Sequence, residues 1–349
     1  MMLFFMNDYS EGAHEKVLEA LIKTNMEQHV GYGVDDITSE AAMLIKEKIK
    51  RQDADVHFLV TGTQTNTIAI AHFLRPYESV IATDLGHISV HETGAIEATG
   101  HKVIEMESKD GLLTPEMIDR AIAKHADEHW VLPKLVYISN ATETGTIYTK
   151  AMLEDLRNTC DKYGLYLYLD GARLANALTC GDNDMTIEDV AKLTDAFTIG
   201  GTKNGILFGE ALIILNSRLK ECMRFSIKQR GGLLAKGRLL GVQFKALFEN
   251  DLYFEIAKHT NETAAFLKNG IVELGYEFVA NPSTNLIFVI LPNEVHNELS
   301  KHCYYEAEHP YDENNMEARF VTSWATPKED VLELLRLLKE LKNSGAISS

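Results

Sequence analysis

From Val56 onward, short apolar runs alternate with amphipathic stretches, and this alternation constrains the fold more than any other feature of the chain. Each run is long enough for one strand and each intervening stretch for one crossover helix, so the pattern predicts βαβ units around a mostly parallel sheet. The expected strands are Val56–Val60, Ser79–Thr83, Lys102–Met106, Leu135–Asn140, Leu165–Asp170, Ala196–Gly201 and Ala211–Leu215. Leu153, Leu156, Cys160 and Tyr163 recur at helical spacing and mark one crossover helix. After about Asp251 the pattern changes to a helical stretch, the turn-like Asn281-Pro282-Ser283, strands at Leu286–Leu291 and Ala318–Ser323, and a final helix. Thr326, Pro327 and Glu329 give that helix a start signal, and Val331, Leu334, Leu335, Leu338 and Leu341 form its apolar face. The expected fold class is α/β, with an N-terminal arm and helix over 1–30, a large domain over 31–250 and a smaller α/β domain over 251–349.

Composition removes several classes of function. With 34 basic against 51 acidic side chains and a formal charge of −17, the chain's field repels a polyphosphate backbone, and no basic stripe overrides it. The four cysteines, Cys160, Cys180, Cys222 and Cys303, form no CxxC pair, which argues against zinc knuckles, redox motifs and a disulfide framework. The apolar start Met1 to Met6 lacks a basic lead and is interrupted by Asn7 and Asp8, too short for a signal peptide. No run approaches the ~20 apolar residues needed to cross a bilayer. We therefore expect a cytoplasmic protein acting on small molecules, with no nucleic-acid or membrane partner.

In an open α/β sheet, ligands sit beyond the carboxyl ends of the strands, so the residues that follow each run matter most. Thr61-Gly62-Thr63-Gln64-Thr65-Asn66 follows the first strand and opens a helix continuing through Ile68, Ile70 and Phe73; free N–H groups there make a cup for a phosphate. Such a run alone is an ordinary helix cap, and the GxxxxGK[ST] and GxGxxG patterns are absent. Asp84-Leu85-Gly86-His87 follows the second strand, with His91, Glu92 and Gly94 beyond. His87 and His91 are spaced to share a helical face, but the HExxH order and a third ligand are missing, so no metal is expected. The run from Leu165 ends on Asp170-Gly171-Ala172-Arg173; a buried carboxylate there needs a cation or the solvent edge. Finally, Phe197-Thr198-Ile199-Gly200-Gly201-Thr202-Lys203-Asn204-Gly205 places a lysine among glycines that let something bulky approach it.

Singly, each of these has an ordinary explanation. Together, a phosphate cup, a ring-sized histidine, a carboxylate at one strand end and a lysine at a later one are what a protein supplies to pyridoxal phosphate. The carboxylate keeps the pyridine nitrogen protonated, and the lysine binds the aldehyde until a substrate amine displaces it.

These residues resemble the L-threonine aldolase family of fold type I pyridoxal-phosphate enzymes, within the aldolase and β-eliminating lyase group. The likeness runs through nearly the whole chain: Tyr32-Gly33, Thr61-Gly62-Thr63 with Asn66, the spacing His87, Glu92, Gly94, then Asp170-Gly171-Ala172-Arg173, Lys203, Asn285 and Arg319-Phe320-Val321-Thr322. The resemblance implies that Gly62 and Thr63 bind the phosphate, that His87 stacks on the cofactor ring and that Asp170 pairs with the pyridinium. It makes Lys203 the Schiff-base lysine, with Arg173 and Arg319 gripping the substrate carboxylate, a role that suits a planar guanidinium. Three departures stand out. Asn7 replaces a serine that helps bind the carboxylate; the cation near the phosphate is shifted onto Lys236 or Arg230; and Ser323 stands where a histidine frequently ends the strand.

The implied reaction is retro-aldol cleavage of L-threonine, L-allo-threonine or a related β-hydroxy-α-amino acid to glycine and an aldehyde, with His87 the candidate base and His91 second. Other outcomes on the same cofactor are β-elimination, racemisation and transamination; a non-catalytic regulatory or binding protein on the same scaffold is the alternative from a different class. The resemblance also implies a homodimer or homotetramer with sites at the subunit interface, where Tyr32 and the 230–236 stretch serve a neighbour.

Overall fold

The computed structural model describes residues 2–279, 282–307 and 309–345; Asn281 of the expected turn and Met1 lie outside them. The first strand, β1 (Leu3–Phe4), is too short to show alternation, and the run Asp55–Leu59 (β2) begins the main sheet. It is followed by β3 (Glu78–Thr83), β4 (Val103–Met106), β5 (Leu132–Ser139), β6 (Tyr166–Asp170), β7 (Ala196–Gly200) and β8 (Glu210–Ile214). These seven form one sheet in the order β2-β8-β7-β6-β5-β3-β4. Strand β8 runs antiparallel to both neighbours, and every other pairing is parallel. All seven expected strands are present, no end displaced by more than three residues.

Successive side chains of a strand point to opposite faces, and the sheet buries both. Ile81, Val136, Leu167, Phe197 and Ile213 pack into one apolar cluster, while Val80, Tyr137, Tyr168, Ala196 and Leu212 pack into another. The crossover helix Lys150–Tyr163 is capped by the Thr149 hydroxyl, which accepts from the Met152 N–H, and buries Leu153, Leu156 and Cys160. Gly164, in the left-handed region at φ 64°, ends it and turns the chain into β6. Between β4 and β7 the order reverses direction across β3 and β5, which opens a crevice at the carboxyl ends of β3, β5, β6 and β7.

A second, antiparallel sheet pairs β10 (Leu286–Pro292) with β9 (Glu277–Phe278) and β12 (Asn315–Val321). Helices Leu252–Glu273 and Lys328–Gly345 pack on it; Val331, Leu334 and Leu338 of the latter are fully buried, each contributing about 1.5–3 kcal/mol. At its start Thr326 is turned back: its hydroxyl accepts from the Ser323 N–H at 2.8 Å, fixing the turn out of β12. Strand β1 runs parallel to β11 (Cys303–Tyr304), and Leu3 and Phe5 are buried with Phe320. The first residues therefore belong with this second sheet, and the segment that leaves it carries Asn7 and Asp8 to the crevice. No described helix is long and apolar enough to cross a membrane.

Candidate active site

At the carboxyl end of β6, Asp170 is almost fully buried and nevertheless surrounded by donors. Its Oδ2 accepts from Asn66 Nδ2 at 2.8 Å and from the Tyr137 hydroxyl at 2.7 Å, and its Oδ1 accepts from the Ala172 N–H at 3.0 Å. Burial alone raises its pKa; the charge of His87 and the bonds from Asn66, Tyr137 and Ala172 outweigh burial and hold the carboxyl below the ordinary value. Asn66 is itself held by the Tyr168 hydroxyl at 2.9 Å.

His87 opens the short helix His87–Val90 after β3. Its Nδ1 lies 2.8 Å from Glu92 Oε1, an oxygen that also accepts from Asn66 Nδ2 at 2.8 Å, so one asparagine amide bridges Glu92 and Asp170. Burial lowers the imidazole pKa, but the bond to Glu92 and the charge of Asp170 overcome it and raise the value above the ordinary one. His91 lies beside it, ring centroids 5.5 Å apart. The backbone N–H of His87 donates to Glu143 Oε1 at 2.9 Å.

Lys203 sits on the single turn Thr202–Asn204 after β7. Burial lowers its pKa first, the charge of Arg173 lowers it further, and Asp8, Glu210 and Asp170 oppose the shift. The lysine and Asp170 therefore share one field, as the constellation requires. Glu210, buried at the start of β8 opposite Gly200, is pushed up to about 8, by burial first and then by the charge of Asp170. Close packing explains the glycines: a Cβ on Gly200 would lie 2.3 Å from the Ala172 carbonyl oxygen, and one on Gly171 would lie 2.0 Å from that of Thr198.

Arg173 is engaged by Asp8, Nε to Oδ2 at 2.7 Å and Nη2 to Oδ1 at 3.0 Å. Asn285 Nδ2 donates to the same Oδ2 at 3.0 Å and to the Thr322 carbonyl at 2.9 Å. Arg319, on β12, pairs with Glu306, while its Nε is buried with no partner. Burial and the nearby charge of Arg173 both disfavour the protonated form of Arg319, so an anion between the two guanidiniums would relieve each. The Asn7 side-chain carbonyl accepts from the Tyr9 N–H at 3.0 Å and from Ser10 Oγ at 2.7 Å. Ser323, at the end of β12, lies 3.2 Å through its Oγ from Glu11 Oε2.

The cup forms at the start of helix Gly62–Phe73, where Thr61 Oγ1 accepts from the Gln64 N–H at 3.1 Å. The amides of Gly62 and Thr63, at the first two helical positions, have no carbonyl to meet within the helix, and a Cβ placed on Gly62 would meet nothing within 4 Å. Gln64 Nε2 reaches the Arg230 carbonyl at 3.5 Å, so the 230–236 stretch borders the cup through its backbone. The Lys236 side chain, by contrast, is exposed, and nothing within one chain ties it to the cup. Tyr32 is also exposed, at φ 62°, with Lys228 Nζ 4.6 Å over its ring.

Sequence reasoning missed Asp8 as the partner of Arg173, and also Tyr137, Glu143 and Glu210. Tyr137 reads as core, Glu143 as part of a turn and Glu210 as the flank of a strand; only their meeting at the carboxyl edges shows their place.

The residues present fit pyridoxal phosphate. The first amides of helix Gly62–Phe73 lie beyond the reach of its own carbonyls, a buried carboxylate is held below its ordinary pKa, and a buried lysine in the same field has its ammonium form disfavoured. Fold and site together define a fold type I pyridoxal-phosphate enzyme. The family model described as beta-eliminating lyase matches residues 7–294, and the chain belongs to that family of lyases. It is 31% identical over 340 residues to a low specificity L-threonine aldolase of Pseudomonas sp. (strain NCIMB 10558), covering 95% of both chains. The threonine aldolase of Leishmania major superposes with a TM-score of 0.96 at 50% identity, over 97% of this chain and 99% of that one. The serine palmitoyltransferase of Sphingomonas wittichii shares the fold alone, at 14% identity and a TM-score of 0.76, over 99% of this chain and 88% of that one.

Proposed function

We propose that the protein cleaves the Cα–Cβ bond of L-threonine, L-allo-threonine or a related β-hydroxy-α-amino acid, releasing glycine and an aldehyde. The observation that carries this reading is the convergence of Lys203 and Asp170 in one buried field with Arg173 and Arg319 beside them. Its relatives named as threonine aldolases supply the reaction type.

Lys203 holds pyridoxal phosphate, which when bound supplies an electron sink for the breaking bond. Gly62 and Thr63 would donate to the phosphate, and the ionised Asp170 would keep the ring nitrogen protonated. His87 would lie against the ring, its Nδ1–H spent on Glu92. Arg173 and Arg319, with the amide of Asn7, hold the substrate carboxylate and so fix which bond at Cα stands in line for cleavage. The loss of Lys203's proton is favoured by its burial beside Arg173, which readies it to be displaced and to return.

The exposed Val30, Tyr32 and Val34 line one open depression with Leu233 of the 230–236 stretch, which supports a homodimer or homotetramer in which Tyr32 and Lys236 or Arg230 complete a neighbour's site. The division at residues 31 and 251 is our working domain boundary. Four unpaired cysteines, three of them buried, support a reducing, cytoplasmic setting.

The test is a product assay on the purified, cofactor-loaded protein with threonine and allo-threonine. Acetaldehyde with glycine supports the reading; 2-oxobutyrate with ammonia overturns it in favour of elimination.

A further inference from the structure

Glu143 has a place in the site that none of the roles above uses. It lies on the loop after β5, at the carboxyl edge where Ser139 pairs with Asp170 across the sheet. Its Oε1 is satisfied twice, by the backbone N–H of His87 at 2.9 Å and by Ser139 Oγ at 2.8 Å. Its Oε2 is buried and has no partner among the described residues. A shielded carboxylate oxygen without a donor costs roughly 1–3 kcal/mol or more, so this atom either carries a proton or awaits a donor from a ligand.

The surroundings say which ligand. The charge of Glu143 acts on Arg173 on one side and is felt together with those of His87 and Asp170 on the other; Tyr137 and Tyr148 complete its neighbourhood. The carboxyl thus holds the backbone of the histidine assigned to the cofactor ring and acts on the charge of the arginine assigned to the substrate carboxylate. Because Oε1 is doubly occupied by donors, a proton taken up by the group goes to Oε2. Burial strengthens it as a base relative to a solvated carboxylate. His87 is a poor base by comparison, because its Nδ1 faces Glu92 and its surroundings favour the charged imidazolium, which has no lone pair to offer.

We propose that Glu143 is the catalytic base for the substrate β-hydroxyl, acting through Oε2, a proposal that rests on the aldol-cleavage reading above. In the cleavage direction the hydroxyl O–H bond breaks and its proton passes to Oε2. The freed oxygen pair becomes the second bond of the aldehyde carbonyl, and the Cα–Cβ bond breaks with its electron pair left at Cα, where the bound cofactor withdraws it. One proton is then added at Cα, balancing the one that left the hydroxyl for Oε2 and is released to regenerate the base, so glycine and the aldehyde together have the composition of the substrate. Ser139 and the His87 N–H are the positioning groups that keep Oε2 free and aimed.

The test is Glu143→Gln, which retains an oxygen to accept from His87 and Ser139 but cannot take a proton. Three readouts are compared with the wild type: kcat and KM for threonine cleavage, the shift in the cofactor's absorption on titrating with glycine, and deuterium exchange at the glycine Cα followed by NMR. The expected result is a fall in kcat on the order of 10²–10⁴-fold, with glycine affinity and Cα exchange within threefold of the wild type. A fall in kcat below tenfold overturns the proposal, as does loss of glycine binding together with cleavage, which marks a structural role. A wild type that makes no acetaldehyde from threonine is a separate outcome and overturns the functional reading itself.

Discussion

Arg173 and Asp8 meet in a bidentate ion pair, Nε to Oδ2 at 2.7 Å and Nη2 to Oδ1 at 3.0 Å, across 165 residues of sequence. The pair joins the segment that leaves β1 to the residues that follow β6, so the second sheet is tied to the crevice of the first. It also presets the guanidinium: two donors are spent on Asp8, and the rest of the fork is left for the substrate.

Breaking that pair from the acidic side leaves a buried guanidinium without its bonded carboxylate and Asn285 with one acceptor fewer. Asp8→Ala should lower the unfolding free energy of the cofactor-free protein by roughly 3–5 kcal/mol. Urea denaturation measures this, and an unchanged midpoint would show that Arg173 finds another partner.

His87 should behave as a packing surface. His87→Phe preserves a ring against the cofactor and the backbone N–H to Glu143, but leaves Glu92 with one donor fewer. We expect threonine turnover within tenfold of the wild type and a loss of roughly 1–3 kcal/mol in stability. Steady-state kinetics on the two proteins check this; a loss of several hundredfold in kcat would return the proton-transfer role to the imidazole.

How much of this can be read from the chain follows from what each residue depends on. Asp170, Lys203, His87 and the Thr61–Asn66 cup all sit at strand ends, and strands buried on both faces announce themselves as apolar runs, so their ends are visible in sequence. The fold class follows from the same runs. Strands β1, β9 and β11 leave no such trace, because two residues carry no periodicity. Asp8 acquires its meaning only because β1 pairs with β11, a contact no local pattern encodes. Glu143 sits in Thr142-Glu143-Thr144-Gly145-Thr146, which reads as turn chemistry, and its orphaned Oε2 exists only in three dimensions. Lys236, picked out from the shifted family motif, is exposed on the surface of its own chain.

Asp170→Asn removes the charge that we assign to the ring nitrogen while preserving the shape of the site. Turnover should fall on the order of 10²–10³-fold, as for loss of a preorganised electrostatic partner, and the cofactor's absorption should change at constant loading. Kinetics with matched spectra test this, and wild-type turnover would mean the ring nitrogen is not protonated by this residue.

Glu210 gives a pH signature. Its folded-state pKa, about 8, lies above the ordinary 4.5, so the folded protein binds the proton more tightly than the unfolded chain. That contribution to stability is complete below about 4.5 and is lost as pH rises through about 8. In the cofactor-free protein, Glu210→Gln should therefore flatten the decline in melting temperature between pH 6 and about 9. Melting curves across that range decide it, and parallel slopes in the two proteins would contradict the assignment.

The central claim is that Lys203 is the residue that holds pyridoxal phosphate. Borohydride treatment of the cofactor-loaded protein, which fixes a lysine–aldehyde linkage permanently, followed by digestion and mass spectrometry, tests it directly. The account predicts one modified peptide, containing Lys203, and none in Lys203→Ala; modification of a different lysine, with the Lys203 peptide unlabelled, would contradict it.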